Sequence, residues 1–176
     1  MIKKFLYVSI ILLLSAVGGF YLLSGGPSAA SALQKPCAFC NPVITQHQTF
    51  YEDHLVLALY THKPMFPGHC LIIPKRHVER FEMLKDEEIV QMGRVIQKVD
   101  QAVRKVFETS AYILIQKNGY EVGQSVPHVH FHYTPRKQGD DSHLKFIFKL
   151  YWSNLGSPLS ESEMQEMVQK LKEAIN

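Results

Sequence analysis

Cysteine is scarce in this sequence: there are three in 176 residues, Cys37, Cys40 and Cys70. Three is too few, and an odd number, for a small domain stapled by disulfides. A dominant charge is lacking too, with 19 Lys and Arg against 16 Asp and Glu and a formal net charge of +3. No basic run with interleaved aromatics occurs, which removes the usual electrostatic footprint of nucleic-acid binding. There is no internal repeat and no low-complexity tract, so solenoids and compositionally biased tails are excluded.

What remains is an ordinary globular composition, 46% hydrophobic and 20% charged. The length suits one domain with a proper core and is short for two. The N-terminus departs from this picture. Lys3 and Lys4 precede an uncharged, mostly apolar run from Phe5 to Leu23. As a helix this run reaches about 28 Å, close to the ~30 Å hydrocarbon core of a bilayer. A signal peptide has a shorter apolar region of roughly 7–15 residues, but Ala30-Ser31-Ala32 supplies a small-residue cleavage site. Residues 1–23 therefore read as a transmembrane anchor or a signal sequence. In either case the two lysines stay in the cytoplasm and the rest of the chain goes outward. The expected location is membrane-anchored on the periplasmic side, or exported after cleavage. Residues 24–36 are small, polar and marked by Pro and Gly, and read as a linker. The folded domain is expected over 37–176.

Leu55–Tyr60 is an apolar run of strand length. Pro64, Pro67 and Gly68 then break the chain before a second strand ending at Pro74, which predicts an antiparallel pair. From Asp86 to Phe107, Ile89, Met92, Ile96, Val99, Val103 and Val106 recur at three- and four-residue spacing, one stripe of a long helix. Asp86, Glu87 and Glu88 put negative charge in its first turn, where the helix dipole favours it. Ala111–Gln116 predicts a third strand, and a fourth begins near His128 after the Asn118-Gly119 turn. Glu161–Ile175 is amphipathic. Strands around one long helix give α+β, with a largely antiparallel sheet.

The informative segment is GQSVPHVHFHYTPR, Gly123 to Arg136. Side chains alternate faces in a strand, so His128, His130 and His132 share one face while Val129, Phe131 and Tyr133 share the other. Three imidazoles then stand in a row about 6.7 Å apart along the backbone. Neutral imidazole is a competent nucleophile near pH 7, and neighbouring rings can hold its tautomer or donate a proton. A transition-metal site is an alternative, since HxHxH also suits a metal ion.

This stretch resembles the histidine triad (HIT) family, whose signature is three histidines alternating with hydrophobic residues. The upstream PGHCLIIPKRHVERF also matches, around the family's fourth characteristic histidine, here His69. KNGYEVGQSVPHVHFHYTPRK is most similar to the fragile-histidine-triad branch, which cleaves dinucleoside polyphosphates. The resemblance implies a HIT-like α+β fold and a nucleotide hydrolase or transferase. Its substrates would be dinucleoside polyphosphates or nucleoside phosphoramidates, and the family usually forms homodimers. It implies His130 as the nucleophile attacking the α-phosphorus and forming a nucleotidyl-histidine. His132 and Gln124 or Ser125 would contact phosphate oxygens, His128 and His69 would support the row, and Asn118 would approach the phosphate or leaving group. Thr61 stands where the family usually has Asp or Asn holding the ribose hydroxyls.

Some bacterial members carry CxFC at the start of the domain and bind zinc with two further histidines. Cys37-Ala38-Phe39-Cys40 matches, with His69 and His128 at the expected ligand positions. Two thiolates and two imidazoles make a closed set of the kind structural zinc prefers. A Cys37–Cys40 disulfide or free thiols remain open, and no organic cofactor is implied. Cys70 is expected in the core. His77 is a minor candidate, and His47, His54, His62 and His143 default to the surface. The reading from another functional class is an exported, non-catalytic zinc- or copper-binding protein.

Overall fold

The computed structural model describes residues 36–139, 146 and 157–175. The expected membrane segment over 1–23 and nearly all of the linker lie outside the described residues. Among the described residues, no helix is long and apolar enough to cross a membrane.

A short helix α1 (Pro42–Gln46) leads into β1 (Thr49–Glu52), β2 (Val56–Tyr60) and β3 (Cys70–Pro74). The long helix α2 (Asp86–Phe107), β4 (Ala111–Gln116), β5 (Phe131–Arg136) and α3 (Glu161–Ile175) follow. The strands form one antiparallel sheet in the order β1-β2-β3-β5-β4. β2 and β3 pair from Val56 opposite Pro74 to Tyr60 opposite Cys70, the antiparallel pair expected around the Pro/Gly turn. Gly68 in that turn has φ +87°, which a side chain resists. A Cβ there would also lie 2.9 Å from Val103 Cγ1.

Alternation divides the sheet into two faces. Val56, Ala58, Tyr60, Cys70, Ile72, Val129 and Tyr133 bury against the two helices. α2 meets them with Met92, Val95, Val99, Ala102 and Val103, and α3 with Met164, Val168 and Leu171. Each such valine or leucine contributes about 1.5–3 kcal/mol by leaving water. Cys70 is wholly buried here, as expected. On the opposite face Leu59, Leu71 and Ile73 form a second apolar cluster with Leu57 and Phe39. The imidazoles stand on that opposite face.

α2 occupies the residues its periodicity predicts, but its buried stripe is rotated. Ile89 is 38% exposed, while Val95 is fully buried. The reason is Glu88, which takes the buried place in the first turn. Its carboxylate accepts from Arg76 Nε (2.9 Å) and Nη2 (2.7 Å) and from the Lys85 backbone N–H (2.8 Å). α3 opens with a reciprocal cap, in which Ser160 Oγ accepts from the Glu163 N–H and Glu163 Oε2 from the Ser160 N–H. β5 begins at Phe131, later than expected, so His128 and His130 lie on the approach to the strand. The alternation still extends back through them: Val129 is in the core beside Tyr133.

Candidate functional site

His130 is only 4% exposed. Its Nδ1 lies 2.6 Å from the His128 carbonyl oxygen. A carbonyl only accepts, so Nδ1 carries the ring proton and Nε2 keeps its lone pair. Two residues on, His132 is paired with His69 through a 3.0 Å contact between His69 Nε2 and His132 Nδ1. The Met65 backbone N–H donates to His69 Nδ1 (3.3 Å), which leaves Nε2–H of His69 as donor to His132. His132 must then carry its own proton on Nε2. One backbone donor thus sets the tautomer of two rings. The His130 and His132 ring centroids are 5.0 Å apart.

Burial keeps the row uncharged. Desolvation pushes His69 down to about 4 and His132 down to about 3, the latter helped by the neighbouring His130 and His69 and by the Lys117 cation. His130 is also lowered by desolvation, partly opposed by its bond to the His128 carbonyl and reinforced by Lys117. At neutral pH the row therefore offers a lone pair at His130 and an N–H at His132.

These rings line a cavity of about 300 Å³ together with Phe39, Thr61, Ser125 and Leu71. That volume is at the lower end for small-molecule sites. A larger cavity of about 410 Å³ lies beside α1 and β1 but holds no imidazole or thiol. The smaller one holds the imidazoles.

A second cluster adjoins the first. Cys37 Sγ is 3.4 Å from His128 Nδ1, and Cys40 Sγ is 3.4 Å from His77 Nδ1 and 3.7 Å from His128 Nδ1. The four donor atoms all lie within 4.8 Å of one another. Tetrahedral zinc with ordinary Zn–S and Zn–N bonds sets sulfur and nitrogen ligands about 3.5 Å apart, so this set fits such an ion. The cysteines are free thiols. Cys40 is pushed up to about 11 by desolvation and by its contact with Cys37. His128 Nε2 donates to the Pro74 carbonyl (2.9 Å), which turns Nδ1 toward the cysteines.

A family model described as the HIT domain matches residues 44–139. The chain belongs to the HIT family. The asymmetrical bis(5'-nucleosyl)-tetraphosphatase of Schizosaccharomyces pombe is 38% identical over 110 residues, 62% of this chain and 60% of that protein. A bifunctional bis(5'-adenosyl)-triphosphatase/adenylylsulfatase of Arabidopsis thaliana is 36% identical over 97 residues, 55% of this chain and 54% of that one. This chain thus spans little more than half the length of these two relatives. A solved structure of a zinc-bound HIT protein from Mycobacterium smegmatis aligns with TM-score 0.63 at 24% identity, covering 82% of this chain and 94% of that one.

Not every residue expected from the HIT resemblance lies where it was expected. His69 is not with the cysteines; His77 takes that place. The reason is the register of β3 and β5. Leu71 faces His132 and Ile72 faces Phe131. Continuing that pairing sets His69 abreast of Thr134 at one end, and the chain after Pro74 abreast of His128 at the other. The Cys37–Cys40 turn is at the His128 end. His69 remains beside the row, as its partnership with His132 requires.

Gln124 and Asn118 are engaged in holding the loop. Gln124 Oε1 accepts from the Gly119 N–H (2.6 Å), and its Nε2 donates to the Glu79 carbonyl (2.8 Å). Asn118 Oδ1 accepts from the Phe81 N–H (2.9 Å), and its Nδ2 donates to Glu82 (2.7 Å). Ser125 and Thr61 do line the cavity. Sequence reasoning missed Phe39 as a cavity wall and Lys117 as the nearby cation. Lys117 was findable from register, because Gln116 pairs with Phe131 and the next step brings Lys117 abreast of His130. His62 is exposed, as expected, yet also lines the cavity.

Proposed function

We propose that this HIT domain is a nucleotide hydrolase or transferase acting at the α-phosphorus of dinucleoside polyphosphates or nucleoside phosphoramidates. The observation that carries it is the His130 bond to the His128 carbonyl, which leaves Nε2 as a buried, neutral nucleophile. In the first step Nε2 forms a bond to phosphorus and the bond to the leaving group breaks. The His132 N–H and Lys117 stabilise the oxygens that gain charge, and Ser125 adds a hydroxyl. In the second step water or another acceptor attacks phosphorus, the P–N bond breaks and imidazole is restored. The hydrolytic product is a nucleoside monophosphate. Thr61 offers a single hydroxyl to the ribose, a weaker hold than a carboxylate or amide gives.

Cys37, Cys40, His77 and His128 would hold structural zinc, which supplies a rigid tie for the His128 ring when bound. His128 is the one member of the row in that cluster. A metal-binding protein without catalysis therefore leaves the His130–His132–His69 arrangement without a purpose. Pairing of two copies along β4 is supported by Tyr112, Ile113 and Leu114, which stand exposed on this end strand of the sheet. The N-terminal segment would tether or export the domain. A topology reporter fused after Asn176 tests that part.

The central test is incubation of the purified protein with a dinucleoside polyphosphate and mass spectrometry of the quenched mixture. A nucleoside monophosphate product and a nucleotidyl adduct on His130 are expected, and both should vanish in His130→Ala. Full activity of that variant would overturn the mechanism.

A further inference from the structure

Phe39 sits between the two cysteines of the metal cluster, inside a turn that spans only Ala38–Cys40. Its ring meets the His130 ring edge-on at 5.2 Å and the His128 ring at 5.8 Å. It also packs on the Leu59, Leu71 and Ile73 cluster and forms part of the cavity wall with Ile44 and Leu71. One side chain therefore touches a metal ligand, the proposed nucleophile and the space a substrate would occupy.

We infer that Phe39 couples metal binding at Cys37, Cys40, His77 and His128 to nucleotide binding in the cavity, so that each ligand strengthens the other. This rests on the nucleotide reading of the cavity. The physical reason is the slightness of the turn. Its backbone is closed by Cys40 N–H to the Cys37 carbonyl (3.1 Å) and Asn41 N–H to the Ala38 carbonyl (3.3 Å), and none of its residues is fully buried. A single turn of this kind is marginal by itself, because fixing its dihedrals returns few hydrogen bonds. A metal ion bound on both sides of Phe39 fixes the backbone that carries the ring. A nucleoside resting on the ring orders the same turn from the cavity side. Whichever ligand binds first bears the cost of ordering, and linkage makes the gain equal in both directions.

The test uses the full chain, purified in mild detergent and loaded with zinc. Zinc affinity is measured by competition with a chromophoric chelator, with and without saturating adenosine monophosphate. The nucleotide's affinity is measured by calorimetry on zinc-loaded and zinc-depleted protein. The expected result is a fivefold or greater tightening, the same factor in both directions. In Phe39→Ala the zinc ligands are untouched, so one zinc per chain is retained, and the factor should fall below two. If zinc-depleted chains unfold, nucleotide tightens zinc in any variant simply by stabilising the fold, and the comparison of wild type with Phe39→Ala then carries the test. Nucleotide binding with a wild-type factor below two overturns the coupling alone. Failure of zinc-loaded protein to bind the nucleotide at all overturns the reading of the cavity, and the coupling with it. Coupling that persists unchanged in Phe39→Ala rules out this residue as its carrier.

Discussion

Replacing His69 by Phe separates the two clusters most sharply. Phenylalanine keeps a flat ring in a buried position but has no N–H for His132 Nδ1. His132 then has two choices. It keeps its proton on Nε2 and leaves Nδ1 unpaired in the interior, or it moves the proton to Nδ1 and loses the donor it offers the substrate. An unpaired buried acceptor costs about 1–3 kcal/mol. At about 1.4 kcal/mol per tenfold in rate, kcat should fall roughly 10- to 100-fold. His69→Gln should recover part of the loss, since its amide N–H can reach toward the position of the imidazole Nε2. Zinc content should not change, because His69 lies at the far end of β3 from the cysteines. His77→Ala should do the reverse to metal binding, lowering zinc retention sharply. The assay pairs stopped-flow single-turnover kinetics with metal analysis of the same preparations. A His69→Phe variant with kcat within twofold of wild type would refute the relay. One that loses its zinc would restore His69 as a metal ligand.

Three further outcomes are expected. Gly68→Ala must force a left-handed backbone, at about 1–2 kcal/mol, and push against Val103, Phe107 and Pro135, at about 1–3 kcal/mol; urea unfolding should show a loss of about 2–5 kcal/mol. Glu88→Gln keeps the shape but removes the charge that two Arg76 nitrogens and one backbone N–H point at, and should cost about 2 kcal/mol by the same measurement. The buried imidazoles set the response to acid. His69 titrates near 6.5 when unfolded and at about 4 when folded, so the unfolded chain binds the extra proton between those values. Stability should fall as pH drops from 6.5 toward 4, by about 3 kcal/mol from this residue, and denaturant midpoints across that range should show a shallower fall in His69→Gln.

Much of this was legible because periodicity and alternation are local signals. The repeat of apolar residues from Asp86 to Phe107 marks α2 without help from the rest of the chain. The alternation in HVHFHY assigns faces even where the hydrogen-bonded strand has not begun. β1 and α1 were not legible. β1 is TFYE and α1 is PVITQ, and neither has the continuous apolar run that marks the equally short β2 and β3. The candidate metal ligands were half legible, since CxxC declares itself locally while its histidine partners depend on which end of β3 faces the turn. That depends on strand register, and the candidates His69 and His77 both lie at the margins of one strand. Asn118 and Gln124 show another limit. An amide beside a histidine motif reads as a substrate contact, yet here both ends of each amide are satisfied by Gly119 and by the Glu79–Glu82 segment before α2.

The three histidines of the row differ in what fixes the second nitrogen of each ring, and that difference divides the labour among them. His128 donates to the Pro74 carbonyl, so its free nitrogen faces the thiols. His130 donates to the His128 carbonyl, so its free nitrogen keeps a lone pair, the proposed nucleophile. His132 accepts from His69, so its free nitrogen carries a hydrogen. The proposed metal ligand, nucleophile and donor thus arise from one residue type repeated at every second position. Charge could not do this, because three imidazolium ions stacked on a buried face would repel one another and lose their hydration. In the proposed mechanism neutrality is a working condition of the row, and burial supplies it. The depressed titration of His69, His130 and His132 maintains that condition, and two backbone carbonyls and the His69 side chain leave the free nitrogens of the three neutral rings in different surroundings and states.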